Sequence, residues 1–122
     1  MGIQVVRTAV EIEPDIALLD IKTIRRGRRL LEFVVHFRIL VDDVWVVVVR
    51  YDNCHGVVHV HRCWLSAESE VQPWPPEPGQ SIAAALRAAE AGLDREWNSF
   101  RELMFDKIRQ LSCSATTSGL MP

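Results

Sequence analysis

Residues 30–49, LLEFVVHFRILVDDVWVVVV, decide the fold. From Leu30 to Val41 apolar residues recur at every second position, which is typical of a strand with one buried face. Asp42-Asp43 is predicted to form a turn, and the β-branched run Val44 to Val49 is predicted to be a second strand. Because that run is apolar at every position, it needs cover on both faces.

The segments on either side of this hairpin extend the predicted sheet. Asp52 to Gly56 carries turn residues, and Val57 to Trp64 is predicted to return as a third strand. Upstream, residues 16–24 fit either a short helix or a strand that turns at Arg26-Gly27-Arg28, and the hairpin is favoured. Ile3 to Ile12 is predicted to add another strand.

The second half of the chain has a different pattern. Prolines between Ser66 and Gln80 predict an extended linker, and Ser81 is a good helix N-cap. A stripe of apolar residues at helical spacing then predicts one long helix: Ile82, Leu86, Ala89, Leu93, Trp97, Phe100, Met104, Ile108 and Leu111. The expected fold is α+β, with an antiparallel sheet of about four to five strands packed by this C-terminal helix. Residues 1–111 would form one domain and residues 112–122 a flexible tail.

Composition agrees with one ordinary globular domain. Of 122 residues 48% are hydrophobic and 25% charged, and the net charge is -2, so only a local patch would attract polyanions. The three cysteines form no disulfide framework and no secretory leader precedes the domain, which predicts a cytoplasmic protein. No apolar run approaches the roughly 20 residues that span a bilayer, so no membrane association is expected.

The segment from Arg50 to Arg62, RYDNCHGVVHVHR, concentrates the chemically reactive side chains. Because side chains alternate along a strand, His59 and His61 are expected on one face, about 7 Å apart. Cys54 and His55 would lie at the adjoining turn. Imidazole and thiolate suit zinc, so His55, His59, His61 and Cys54 are candidate ligands for a divalent metal.

The same segment also fits acid/base chemistry on RNA without a metal. His59 and His61 would transfer protons, Arg50 would bind phosphate, and Asp52 or Tyr51 would orient a histidine. A four-residue turn would place Arg50 directly across from His59. Two alternatives stay open: these residues are simply polar surface groups, or a slip of one residue in the strand register exchanges the two faces. His36 is interpreted as a surface residue.

A second basic group lies at the predicted tip of the upstream hairpin. It consists of Lys22, Arg25, Arg26, Arg28 and Arg29. These cations would bind the phosphates of RNA, or they form a solvated turn, which is the usual role of a charge run.

Arg50-Tyr51-Asp52-Asn53, His55-Gly56 and His59-Val60-His61 resemble a motif of small uncharacterised prokaryotic proteins and, more distantly, the TumE-type toxins of toxin–antitoxin pairs. Residues 21–24 and 30–33 are similar to the opening hairpin of those toxins. The resemblance implies a sheet that presents Arg50, Asp52, His55, His59 and His61, an activity on RNA, and a small antitoxin-like partner.

The sequence thus favours a toxin-like protein that acts on RNA. The alternative is a non-enzymatic interaction module, with or without a divalent metal, that pairs through its sheet or helix. One helix covers only one face of the strand that begins at Val44. Either the N-terminal segment or a second subunit must therefore cover the other, and a homodimer is expected.

Overall fold

A computed structural model describes residues 2–54, 56–74 and 81–120 of the chain, with the backbone alone given for residues 113–120. Six strands form one antiparallel sheet whose spatial order follows the chain, and one helix follows the last strand. The elements are β1 (Ile3–Glu13), β2 (Ala17–Arg26), β3 (Arg29–Val41), β4 (Val44–Asp52), β5 (His59–Arg62), β6 (Val71–Pro73) and α1 (Ile82–Leu120). The α+β class and the antiparallel sheet are therefore confirmed.

Tight turns set the register of the long central strands. Asp42 and Asp43 have φ angles of 48° and 65°, the left-handed pair that a two-residue hairpin turn requires. Gly27, with φ of 59°, turns β2 into β3. The hairpin interpretation of residues 16–24 is correct, because those residues enter β2 and no helix forms there.

The core lies between α1 and one face of the sheet. On β3 the fully buried residues are Phe33, Val35, Phe37 and Ile39, each at most 1% exposed, which is the predicted alternation. On α1, Ala85, Leu86, Ala89 and Leu93 are buried in the same cluster. The small alanines let the helix approach the large side chains of β3 closely.

The start of α1 and the loop after β5 are held by specific contacts. Ser81 Oγ accepts a hydrogen bond from the Ala84 backbone N–H at 3.1 Å, which confirms the predicted N-cap. Lys107 on α1 donates through Nζ to the carbonyl oxygens of Cys63 and Leu65. A stacked pair of Trp64 and Phe100 rings, with centroids 5.2 Å apart, packs the same region.

Three features differ from the sequence-based expectations. The sheet has six strands where four to five were predicted, since β6 forms inside the segment expected to be a linker. Pro73 is compatible with β6 because an edge strand leaves one side unpaired. The third predicted strand is shorter than expected and covers only His59–Arg62. The helix backbone extends to Leu120, beyond the predicted boundary at residue 111.

The second face of β4 is not covered by the N-terminal segment. That segment is β1, which lies at the edge of the sheet beside β2. Trp45 and Val47 are half-buried on the face opposite the helix.

Among the residues described here, α1 is too polar to span a membrane.

Candidate functional site

The face of the sheet opposite α1, called the open face below, carries an ordered row of polar side chains. Asp20 of β2 pairs with His36 of β3, His36 with Arg50 of β4, and Arg50 with His61 of β5. Directly paired residues of neighbouring strands project to the same face. The chain therefore aligns an acid, an imidazole, a guanidinium and a second imidazole across four strands.

A second row runs beside the first, displaced by two residues on each strand. It consists of Arg7, Lys22, Val34, Asp52 and His59. Asp52 thus lies diagonally next to Arg50 and His61, and directly opposite His59. The two rows bring charged or imidazole side chains from five strands to one surface.

Asp52 is a buried member of this group of side chains, with only 4% of its side chain exposed. Its Oδ2 atom lies 2.8 Å from Arg50 Nε and 3.4 Å from His61 Nε2. Its Oδ1 atom accepts a hydrogen bond from the backbone N–H of Cys54 at 3.1 Å. One buried carboxylate therefore orients both the guanidinium and the imidazole, and it leaves the terminal amino groups of Arg50 as donors for a ligand.

The other end of the row has its own ion pair. Arg38 Nε lies 2.6 Å from Asp20 Oδ2, and both side chains are about one third exposed. Exposed pairs of this kind contribute about 0–1 kcal/mol to stability. Its main effect is to fix the two side chains beside His36.

Burial, followed by the positive charges of Arg38 and Arg50, lowers the pKa of His36 from its ordinary value, while Asp20 and Asp52 oppose this shift. His36 is therefore a neutral imidazole at pH 7. The folded chain binds this proton less readily than the unfolded chain, where histidine titrates near 6.5.

We therefore expect the free energy of unfolding to fall as pH drops below about 6.5, because the unfolded state is the better proton acceptor there. Replacing His36 with glutamine removes this proton linkage. The variant should show a flatter dependence of stability on pH between about 7 and 5, measured by urea unfolding. Parallel curves for the two proteins would contradict the pKa assignment.

A shallow depression of about 520 Å³ lies on the open face between β1 and β4. Its charged lining consists of Arg7, Lys22, Arg38 and Arg50 against one carboxylate, Asp20, and His36 also lines it. This balance favours an anionic ligand. The depression opens directly beside the row that contains His36 and His61.

The structure brings together most of the predicted catalytic residues. Arg50, Asp52, His59 and His61 share the open face, as expected. The direct partner of Arg50 is His61. A four-residue turn would have placed His59 there, but residues 53–58 connect the two strands.

Tyr51 is not part of this cluster. It faces α1, is 2% exposed and packs edge-on against Trp74 with ring centroids 5.2 Å apart. Burial raises its pKa to about 12, so its hydroxyl stays protonated.

The predicted metal site is only partly within the described residues. Cys54 is a half-buried free thiol at the end of β4, and His55 lies outside the described residues. In the part of the chain that the structure describes, no group of three or more histidine, cysteine or acidic side chains is arranged to hold a metal ion.

The basic group divides between two places. Lys22 lines the depression, whereas Arg25, Arg26, Arg28 and Arg29 lie at the β2–β3 turn. By strand spacing the turn lies roughly 13 Å from Lys22. The two sets would contact different phosphates of one strand.

Sequence reasoning missed His36, Asp20 and Arg38. The alternation of β3 placed His36 and Arg38 on its polar side, which was the available signal. What the sequence did not reveal was that this side aligns with the face of His59 and His61. That alignment depends on a bulge between β3 and β4, where the register shifts at Phe37/Arg38 and Val48 is the extra residue.

The fold and the site define a class: a small α+β domain with a helix on one face of an antiparallel sheet and a cationic, histidine-containing surface on the other. A model of the domain of unknown function DUF7718 matches residues 9–110. The chain therefore belongs to the DUF7718 family. Neither a curated protein nor a solved structure matches the chain.

Proposed function

We propose that the open face binds RNA and cleaves its backbone, and that the protein acts as a toxin of the toxin–antitoxin type. One observation carries the proposal: Arg50 lies between His36 and His61 in a single cross-strand row. A cation between two imidazoles can supply the base, the acid and the charge stabilisation of internal phosphodiester cleavage.

The reaction needs one proton acceptor, one proton donor and a stabiliser of negative charge. A base takes the proton of the ribose 2′-hydroxyl as its oxygen attacks phosphorus, and an acid protonates the departing 5′-oxygen. The products are a 2′,3′-cyclic phosphate and a 5′-hydroxyl, so no water or metal enters this step.

The row supplies these three groups at suitable positions. His36 and His61 are two strands apart, roughly 10 Å, so a phosphate held on Arg50 would lie between them. The lowered pKa of His36 leaves it neutral and able to accept a proton. His61, oriented by Asp52, would be the proton donor, and Arg50 would stabilise the charge on the phosphoryl oxygens.

The depression supports binding of a longer strand. Arg7, Lys22, Arg38 and Arg50 would contact phosphates on the β1 side of the row. If these four cations each neutralise one phosphate of a single strand, the logarithm of the affinity should fall with log salt at a slope of about -2.8.

The direct test is incubation of the purified protein with end-labelled single-stranded RNA, with and without EDTA. We expect EDTA-resistant cleavage and 2′,3′-cyclic phosphate ends. The matched control is the same oligonucleotide in deoxyribose form, which should bind and stay intact because it lacks the 2′-hydroxyl.

Two results would contradict the proposal in different ways. Binding of both oligonucleotides without cleavage would indicate a non-enzymatic binding module. Loss of cleavage in EDTA would indicate that the reaction depends on a metal.

A small antitoxin-like protein that covers the open face completes the proposal. Expression of the protein alone should then slow bacterial growth, and the partner should restore it.

A further inference from the structure

The two edges of the sheet differ in their capacity to pair with another strand. The β6 edge is three residues long and contains Pro73. The β1 edge is eleven residues long, contains no proline, and pairs with β2 on its inner side. Within the described residues no strand lies on the outer side of β1. Its exposed apolar residues are Ile3 at 55%, Val5 at 53%, Val6 at 49% and Val10 at 46%.

We propose that β1 pairs with β1 of a second copy of this chain, in antiparallel orientation and centred on Ala9. A long edge strand with exposed apolar residues is a ready template for another strand, and proteins usually protect such edges. The regular part of β1 runs from Ile3 to Glu11, because the register shifts between Glu11 and Glu13. This inference stands independently of the activity on RNA. It places the expected dimer contact at β1, away from the exposed face of β4.

Strand geometry limits the registers that such a pair can adopt. In an antiparallel pair, residues directly opposite each other have their side chains on the same face of the sheet. Their backbone N–H and C=O groups point either both toward the partner strand or both away from it. The two-fold axis must therefore pass midway between the two copies of one residue of β1, which lie directly opposite each other. Each choice of central residue fixes every cross-strand pair.

Charge complementarity selects the register centred on Ala9. In it Arg7 lies opposite the partner's Glu11, and symmetry repeats this pair. The same register places Thr8 opposite the partner's Val10 on the side of α1. The bulge between Glu11 and Glu13 limits its regular ladder to residues 7–11.

Other registers are less favourable. Centring on Arg7 or on Glu11 places like charges opposite each other, which is destabilising. Centring on Val10 pairs Arg7 with the partner's Glu13, across the register shift between Glu11 and Glu13. Centring on Thr8 gives the longest overlap, but it places Arg7 opposite Ala9 and Glu11 opposite Val5. The Ala9 register is the one that places opposite charges across from each other within the regular part of β1.

The dimer would be one continuous sheet of two six-stranded halves. A two-fold axis perpendicular to the sheet puts both open faces on the same side. The two copies of Arg50 would be seven strand spacings apart, roughly 34 Å before twist. Both histidine-containing rows would therefore face a single ligand surface.

Sedimentation equilibrium of charge-swapped variants tests this register. Arg7→Glu alone and Glu11→Arg alone each place like charges opposite each other twice, so each should raise the dimer dissociation constant roughly 30-fold. The double swap Arg7→Glu with Glu11→Arg should restore dimerisation. Circular dichroism should show that each variant keeps the fold.

Mixing the two single variants gives the sharper result. Arg7→Glu and Glu11→Arg, each weak alone, should form a heterodimer, because every Glu of one chain then meets an Arg of the other. The matched control, Glu13→Arg, lies beyond the register shift of β1, outside the regular ladder, and should behave like the unmodified chain. With Arg7→Glu it should pair more weakly than Glu11→Arg does, because one Glu–Glu contact remains in that mixed dimer.

Three outcomes would overturn the inference. If the protein is a monomer at about 100 µM, then β1 pairs with a different chain or with no chain. A dimer indifferent to both swaps would place the contact elsewhere. Rescue of Arg7→Glu by Glu13→Arg would establish the register centred on Val10.

Discussion

Replacing His61 with alanine is expected to lower the rate of RNA cleavage by about 100-fold or more, and replacing His36 should have an effect of similar size. Each substitution removes one of the two proton-transfer groups that flank Arg50. The binding of RNA should change little, since the cations of the depression are retained. The measurement is the single-turnover rate on a labelled oligonucleotide, with affinity determined separately.

His59→Ala is the matched control, because His59 lies on the same strand and the same face as His61. Its direct neighbour is Asp52 rather than Arg50, so its loss should cost much less than that of His61. Equal losses for His59→Ala and His61→Ala, with His36→Ala fully active, would instead assign the chemistry to the pair on β5. An active protein lacking both His36 and His61 would end the cleavage mechanism.

The architecture was predictable where the sequence has strong periodicity. Alternation in β3 identified its buried face, Asp42-Asp43 identified the turn, and the stripe after Ser81 identified the helix. The missed strand, β6, is short and contains a proline, and its pairing with β5 is a tertiary contact. Local propensity carries no information about such a contact.

The site was predictable as a set of residue types and only partly as a geometry. The density of histidines indicated the β4–β5 segment, but the register depended on loop length and on the bulge at Val48. A one-residue change in either would exchange the faces. This is why the alignment of His36 with His61 was not anticipated. Tyr51 differs, because alternation within β4 alone places it on the face opposite Arg50 and Asp52.

Asn53 shows how a residue outside the reactive set holds the site in register. The ladder between β3 and β4 ends at the pair of Val34 and Asp52. Beyond this pair the side chain of Asn53, a residue only 4% exposed, makes the hydrogen bonds to β3 that a further strand residue would otherwise make. Its Oδ1 accepts from the Phe33 N–H at 2.8 Å, and its Nδ2 donates to the Leu31 carbonyl at 3.0 Å. The residue that follows Asp52 is therefore anchored to the neighbouring strand.

Asn53→Ala should lower the free energy of unfolding by about 3 kcal/mol, because it leaves a buried N–H and a carbonyl of β3 without partners. Urea unfolding gives this value directly, and hydrogen exchange at the Phe33 amide should accelerate in the same variant. Asn98→Ala, at an exposed position of α1, is the control and should change stability by less than about 0.5 kcal/mol. Equal stability of the two variants would mean that water replaces both hydrogen bonds without cost. Asp52 would then owe its position to its ion pairs and to the hydrogen bond from the Cys54 backbone N–H.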